Sequence, residues 1–327
     1  MVLLFQSLRN AVQTVSGPPT NLNLNSPSDQ HLVSQVRQIT GIPDSRGPSD
    51  AAIAAAAREY AHKFNYWYTR VIKEAGPKYR RVLIDRINPF TKRVECEGLN
   101  AVETAKHLVE IYSNRNFATA GGWAIEALAI EISGGRKSSA TGIDLETDDA
   151  SGNRRLYVFK SSPVTRNSDI LAALKSNARQ AEKLIRQSNS RTLVDPVYAV
   201  AFGVRLSTYE DGVRRPSSIE LWSELTGLDN PDEAVDMVLA VATEGFRQYA
   251  QATATKSIQV LNLLVSTYIA ELPSLLDSTP TASTPAVDWD FLSMRNMSPK
   301  ENWKAQDAER HRRALNAVAQ AGLSIDE

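Results

Sequence analysis

The stretch that decides the fold covers residues 142–163 and has the sequence GIDLETDDASGNRRLYVFKSSP. Its two apolar parts, GIDL and LYVFK, predict neighbouring strands, because residues 148–153 between them (DDASGN) are turn formers. The first strand carries a carboxylate, Asp144, near its start, and the second strand ends in Lys160. Two such strands bring an acid and a lysine together, and this pair can hold a divalent metal and orient a water molecule.

Helices and strands alternate around this stretch, which predicts an α/β fold. A helix over 122–132 precedes the two strands, and a helix over about 168–187 follows them. An apolar run over 197–204 (VYAVAFGV) is short enough for a buried strand. Further helical patterns cover residues 50–74, 99–112, 219–225, 232–249, 255–272 and 299–321.

The chain has 327 residues, enough for one large domain or two ordinary ones. Strands join the helices only from about residue 118 onward, so we predict a helical N-terminal region over 1–117 and an α/β core over 118–275. Residues 276–327 are predicted to form a Ser/Thr/Pro-rich linker and a charged C-terminal helix.

Charge and composition narrow the class of protein. Lys plus Arg and Asp plus Glu both number 37, so the formal net charge is zero and any nucleic-acid contact needs locally concentrated positive charge. The single cysteine, Cys96, excludes a disulfide within the chain, and the four histidines show no zinc-ligand spacing. The apolar start is too short for a signal peptide and no apolar run reaches membrane-spanning length, so we expect a cytoplasmic protein with no membrane partner.

Three residues are candidates for a catalytic metal site: Glu126, Asp144 and Lys160. Glu126 lies amid apolar neighbours in its helix, where a buried carboxylate needs compensation, for example by a metal ion. Each residue alone has an ordinary alternative: a solvated helix face for Glu126, a turn for Asp144, and a strand-end lysine reaching water for Lys160. Glu146 shares a predicted strand face with Asp144 and is a further candidate ligand, whereas Glu131 lies on another helix face.

A basic stripe lies on the helix that follows Lys160. Its four residues are spaced by four, four and three and oppose an apolar face: Lys175, Arg179, Lys183 and Arg186. The stripe suits contacts with a phosphate backbone, although the solvated face of any amphipathic helix has the same pattern. A second basic cluster is a candidate for further backbone contacts: Lys78, Arg80, Arg81 and Arg86.

The order of helix glutamate, strand aspartate and strand lysine resembles the PD-(D/E)XK nuclease superfamily, in particular its restriction-endonuclease branch. The resemblance implies a restriction-endonuclease-like core of helix, mixed sheet and helix, with additional helical regions at both ends of the chain. It also implies that Asp144, Glu126 and the backbone carbonyl of Phe159 bind Mg²⁺, with Mn²⁺ as an alternative ion. Lys160 would serve the attacking water. The family has an acid two places before this lysine, where the present chain has Val158.

The resemblance covers roughly residues 118–250 and implies a Mg²⁺-dependent endonuclease acting on double-stranded DNA, as a type II restriction enzyme does. It implies a homodimer, since a palindromic duplex asks for two-fold symmetry. Three other interpretations stay open: a nuclease of another defence or repair system, a DNA-binding or scaffolding protein without catalysis, which Val158 favours, and a nuclease directed at RNA. Nucleotide-binding glycine loops and the serine nucleophile elbow have no match in the sequence.

Overall fold

The computed structural model describes residues 27–74, 88–149, 151–161, 168–188, 193–210 and 212–247. These residues fall into two compact units. One unit contains the described residues 27–66 and 118–247, and the other contains 67–74 and 88–117. The region predicted over 1–117 therefore contributes to both units, and the predicted boundaries at 118 and 276 stay predictions.

The described residues form seven helices and six strands. The helices are α1 (Pro27–Thr40), α2 (Asp50–Glu74), α3 (Pro89–Glu95), α4 (Ala101–Ile132), α5 (Ser168–Ser188), α6 (Ser218–Thr226) and α7 (Pro231–Gly245). The strands are β1 (Arg136–Lys137), β2 (Leu145–Asp148), β3 (Arg154–Lys160), β4 (Val194–Val200), β5 (Thr208–Glu210) and β6 (Val213–Arg215).

The strands form one mixed sheet in the order β1-β2-β3-β4-β6-β5. Strands β1, β2 and β3 pair antiparallel, and β3 pairs parallel with β4 along its whole length. A parallel pair needs a crossover connection, and α5 lies in that connection. Strand β6 is parallel to β4, and β5 and β6 form an antiparallel hairpin at the edge. This arrangement confirms the predicted α/β class, with a mixed sheet between helices.

The hairpin that joins β2 to β3 lies where the turn formers predict it. Asp149 closes the turn, because its side chain accepts hydrogen bonds from the backbone N atoms of Ser151 and Asn153, both at 2.9 Å. Gly152 has φ of 77°, in the left-handed region that glycine favours. This local turn chemistry determines the register of β2 and β3, and with it the surroundings of Asp144.

Side chains of β3 alternate between two apolar layers. Tyr157 and Phe159 belong to a cluster with residues of α1, α2, α4, α6 and α7 on one face of the sheet. Leu156 and Val158 belong to a second cluster with residues of α5 on the other face. Burying an apolar side chain of this size stabilises the fold by roughly 1.5–3 kcal/mol, so β3 is anchored from both sides.

Helix α4 is longer than the sequence predicts. We expected two helices separated by a break over 113–121, where the sequence SNRNFATAG contains poor helix formers. The helix instead continues from Ala101 to Ile132, so this expectation is wrong. Gly122, directly after these residues, allows α4 to pass close to the end of β3, because a Cβ added there would lie 3.2 Å from Ser161 Oγ.

Small residues also bring α2 and α7 together. A Cβ added at Gly245 would lie 2.5 Å from the carbonyl oxygen of Ala57, a distance that only glycine avoids. The alanine-rich start of α2, residues 54–57, is buried in the same apolar core.

Among the helices that the structure describes, none is long and apolar enough to cross a membrane.

Candidate metal centre

Asp144 lies directly before β2 and is tied to β3 by two hydrogen bonds. Its backbone N donates to the carbonyl oxygen of Tyr157 at 2.8 Å, and its Oδ2 accepts from the backbone N of Phe159 at 2.9 Å. The carboxylate is therefore fixed one residue away from Lys160 in the neighbouring strand. Its second oxygen, Oδ1, lies 3.5 Å from the ammonium Nζ of Lys137.

Glu126 reaches the same ammonium from helix α4. Its Oε1 accepts a hydrogen bond from Lys137 Nζ, so one cation contacts both carboxylates. The side chains of Glu126 and Asp144 are 22% and 24% exposed, which places the pair at the edge of the core and within reach of solvent. The structure thus brings together two of the three predicted site residues, which are 18 positions apart in the chain.

A tight turn after α4 places Lys137 between them. Gly134 has φ of 63°, and a Cβ added at Gly135 would lie 2.5 Å from Leu145 Cδ1 and 2.7 Å from the carbonyl oxygen of Glu146. The chain passes so close to β2 that β1 can pair with it, and Lys137 lies opposite Leu145. The residue next to Asp144 in β2 is therefore paired with Lys137.

Lys160 ends β3 and is half-buried. It lies opposite Val200 of β4, and its carbonyl oxygen accepts a hydrogen bond from Ala201 N at 2.9 Å. The next residue, Ser161, lies close to Gly122, one helical turn before Glu126 on the same side of α4. Within the described part of the chain, the Lys160 ammonium makes no ion pair.

The place of the missing motif acid is apolar. Val158 is only 8% exposed and packs in the cluster that β3 forms with α5. The described residues contain no group of three or more His, Cys, Asp or Glu side chains that could hold a metal ion. Two convergent carboxylates nevertheless fit Mg²⁺, a hard cation that prefers oxygen ligands and keeps several waters. A further contribution from the carbonyl of Phe159 stays a prediction.

The electrostatics of Lys137 reflect its two acidic neighbours. Burial lowers the pKa of this ammonium, but the hydrogen bond and charge of Glu126, with a further contribution from Asp144, outweigh burial and raise the pKa above its usual value. The carboxylate pair therefore retains a protonated lysine. Sequence reasoning missed Lys137; the signal was a basic residue two places after the Gly134-Gly135 turn, in the segment that leads to Asp144.

Glu146 and Glu131, the two other acids considered from the sequence, lie in different surroundings. Glu146 is buried and accepts hydrogen bonds from Arg136 and from Ser138 Oγ, the latter at 2.6 Å. Glu146 is therefore already paired within the fold, and its role as a further ligand stays a prediction. Burial, together with the charge of Glu59, raises the pKa of Glu131, and this acid belongs to a different face of α4.

The basic stripe lies on α5 as predicted. Leu174, Ala178, Ala181 and Ile185 are buried on the sheet side of the helix. Arg179 and Lys183 are exposed, and Lys175 is half-buried. The backbone of Arg186 is in the helix, and its side chain lies outside the described part. Lys78, Arg80, Arg81 and Arg86 also lie outside the described residues.

Helix α5 passes close to the start of β2. A Cβ added at Gly142 would lie 2.1 Å from Asn177 Nδ2, and Gly142 precedes Asp144 by two residues. Gly142 has φ of 74°, a second reason for glycine at this position. The helix that carries the stripe therefore packs beside the segment that carries the aspartate.

Comparison with known proteins adds an independent finding. A family model described as type II restriction endonuclease EcoO109I matches residues 60–245, more than half of the chain. The matched range includes Glu126, Asp144 and Lys160, together with the helix that carries the basic stripe. A search of curated proteins found no match.

Proposed function

Because this chain belongs to the type II restriction endonuclease EcoO109I family, a PD-(D/E)XK restriction endonuclease family, we propose that it is a Mg²⁺-dependent endonuclease that hydrolyses phosphodiester bonds of double-stranded DNA. The observation that carries the proposal is the convergence of Glu126 and Asp144 on one ammonium beside the strand that ends in Lys160. Mn²⁺ would serve as an alternative ion, because it also accepts carboxylate oxygens.

Glu126 and Asp144 would hold the metal. The hydrogen bond from Phe159 N fixes one Asp144 oxygen and leaves the other directed to the shared position. A bound metal would stabilise negative charge on the phosphate and lower the pKa of a water molecule. Lys160, at the end of β3, would orient that water and offset charge that develops in the transition state.

The stripe on α5 would contact the DNA backbone. Arg179 and Lys183 are exposed on a helix whose other face is anchored to the sheet, so their charges are held at a rigid surface. Such contacts position the duplex without reading its sequence. We further propose a homodimer, because the two-fold symmetry of a palindromic site is matched by a two-fold protein.

Asp144→Asn tests the catalytic assignment. The variant keeps an acceptor for Phe159 N but removes the charge that the metal needs, so plasmid cleavage with Mg²⁺ or Mn²⁺ should fall by about 100-fold or more. Asp148→Asn is the matched control, because it makes the same change four residues away, at an aspartate that is paired with two arginines. Cleavage by wild type should stop with EDTA and should continue in Asp148→Asn.

A second candidate function is DNA binding without catalysis. The burial of Val158 at the position of the motif acid favours it. Under that alternative, wild type would bind DNA in a gel-shift assay and leave it uncut with either ion. Asp144→Asn and Lys160→Ala would then change neither result. Competing DNA and RNA substrates would separate a nuclease directed at RNA.

A further inference from the structure

We propose that Lys137 is a positioning residue that occupies the cation site of the metal-free protein and has to leave it before a divalent ion binds. This inference rests on the proposed function, since it concerns the same pair of carboxylates. It adds a residue that the family resemblance does not include and gives it a role in controlling metal affinity.

The lysine-occupied and the metal-bound states of the site exclude each other. Lys137 Nζ contacts Glu126 Oε1 and lies 3.5 Å from Asp144 Oδ1, so the ammonium stands between the oxygens that a shared metal would need. A Mg²⁺ or Mn²⁺ ion bound to both carboxylates would have to come within about 2–2.5 Å of them. An ammonium in the same space would overlap the ion and repel it, because like charges at such distances interact by several kcal/mol at a partly buried site.

The ammonium has a route out of the site. The Lys137 side chain is 57% exposed, although its head group contacts both acids. Its backbone stays fixed, because β1 pairs with β2 and Gly135 holds the preceding turn close to Leu145. A lysine has four rotatable bonds, so Nζ can turn to solvent while the strand remains in place.

The lysine also balances part of the charge of the two carboxylates in the absence of metal. Two carboxylates that converge without a cation repel each other, and one of them would turn away to water. The shared ammonium offsets this repulsion between Glu126 and Asp144 in the absence of metal, so the ion has to compete with it. The consequence is a weaker apparent affinity for the metal, because the ion can bind only those molecules in which the lysine has left the carboxylates.

Titration with Mn²⁺ in the absence of DNA tests the proposal. Electron paramagnetic resonance measures free Mn²⁺, so the dissociation constant is obtained without any cleavage reaction. If the bridged state holds about nine-tenths of the molecules, Lys137→Met should bind Mn²⁺ about tenfold more tightly than wild type. Lys137→Gln should behave in the same way, and Lys137→Arg, which keeps the charge, should stay close to wild type.

Lys92→Met is the matched control. Lys92 also pairs with a carboxylate, Glu95, and its removal should leave the Mn²⁺ dissociation constant unchanged. Equal or weaker Mn²⁺ binding by Lys137→Met would overturn the role of Lys137 while leaving the metal site intact. If neither wild type nor Lys137→Met bound Mn²⁺ in a way that Asp144→Asn abolishes, the metal site itself, and with it the proposed function, would be wrong.

Discussion

The candidate metal centre and a second cluster of charged side chains on the sheet differ in how their charges balance. At the candidate metal centre, two carboxylates share one ammonium. In the Glu224 cluster, formed by Glu224, Asp195, Arg155 and Arg214, two carboxylates meet two guanidinium groups. The first group keeps an excess of negative charge, whereas the second is formally neutral.

The hydrogen bonds of the Glu224 cluster leave little capacity for another cation. Glu224, 13% exposed, accepts from Arg155 Nη1 at 2.5 Å, from Arg214 Nη2 at 2.7 Å and from the hydroxyl of Tyr157 at 3.1 Å. Burial lowers the pKa of Arg214, but Glu224 and Asp195 raise it overall, so the guanidinium stays charged. A carboxylate surrounded in this way stabilises the fold.

The two clusters show how a binding site can be distinguished from a structural ion pair in one molecule. Both clusters are partly buried, and both link a helix to the sheet. Charge balance distinguishes them: a buried acid is tolerated when it is paired, and a surplus of acid at the edge of the core is tolerated when it serves a cation.

Glu126→Gln and Glu224→Gln should give opposite results. Glu224→Gln removes the charge that two half-buried guanidinium groups share, while Arg214 keeps Asp195, and should lower the free energy of unfolding by about 2 kcal/mol, measured with urea. Glu126→Gln affects a more exposed pair and should change stability by less than about 1 kcal/mol. It should reduce the DNA cleavage rate by about 100-fold through loss of a metal ligand. A folded Glu224→Gln that no longer cuts DNA would contradict the distinction.

Tyr157→Phe should lower the free energy of unfolding by about 1 kcal/mol, because it removes the hydroxyl that donates to Glu224. Burial, followed by the charge of Glu224, raises the pKa of Tyr157 to about 12, from an ordinary value of 10.0. The folded state therefore favours the protonated phenol, so the advantage of wild type is complete below pH 10 and declines as the pH rises through 10 toward 12.

The measurement is the difference in urea midpoint between wild type and Tyr157→Phe at pH 8 and at pH 10.5. Other alkaline effects act on both proteins and cancel in that difference. A difference that grows with pH would refute the assignment of this hydroxyl.

Asp148→Asn should have the smallest effect, about 0.5 kcal/mol, because its arginine partners are in contact with solvent. The hydrogen bond from Arg136, with contributions from Arg154, lowers the pKa of Asp148 below its ordinary 3.8. The stabilisation by Asp148 is thus complete above pH 3.8 and is lost as the pH falls through the lower pKa of the folded state.

We would compare the urea midpoints of wild type and Asp148→Asn at pH 7 and at the lowest pH where both proteins unfold cooperatively. This comparison checks the direction of the pH dependence. Asp148→Asn should approach wild type in acid. An increasing gap in acid would show that Asp148 does not interact with these arginines in the way its contacts indicate.

Much of the fold follows from local patterns. Strands β2 and β3 were predictable because alternation and turn formers act over a few residues. The apolar strand β4 was predicted over 197–204 but forms over Val194–Val200, since Asp195 pairs with Arg214 and is accommodated in the sheet. The hairpin of β5 and β6 was not predicted, because its strands have three residues each and no apolar run.

The candidate site was predictable only in part. Glu126, Asp144 and Lys160 were selected from residue type and order, and their roles stay predictions. The pairing of Glu146 depends on Arg136 of β1 and on Ser138, which follows β1. No local pattern distinguishes a paired acid from an open one, because pairing is a property of side chains that meet in space.

The amino-acid sequence by itself determined the α/β class, the hairpin and the elements that carry the acids and the lysine. These features depend on backbone preferences and periodicity, which operate between near neighbours. The continuity of α4 through residues 113–121 and the place of Lys137 between Glu126 and Asp144 depend on tertiary contacts. The physical reason is that close packing and charge pairing join residues distant in the chain, and their strength depends on the distances that the whole fold imposes.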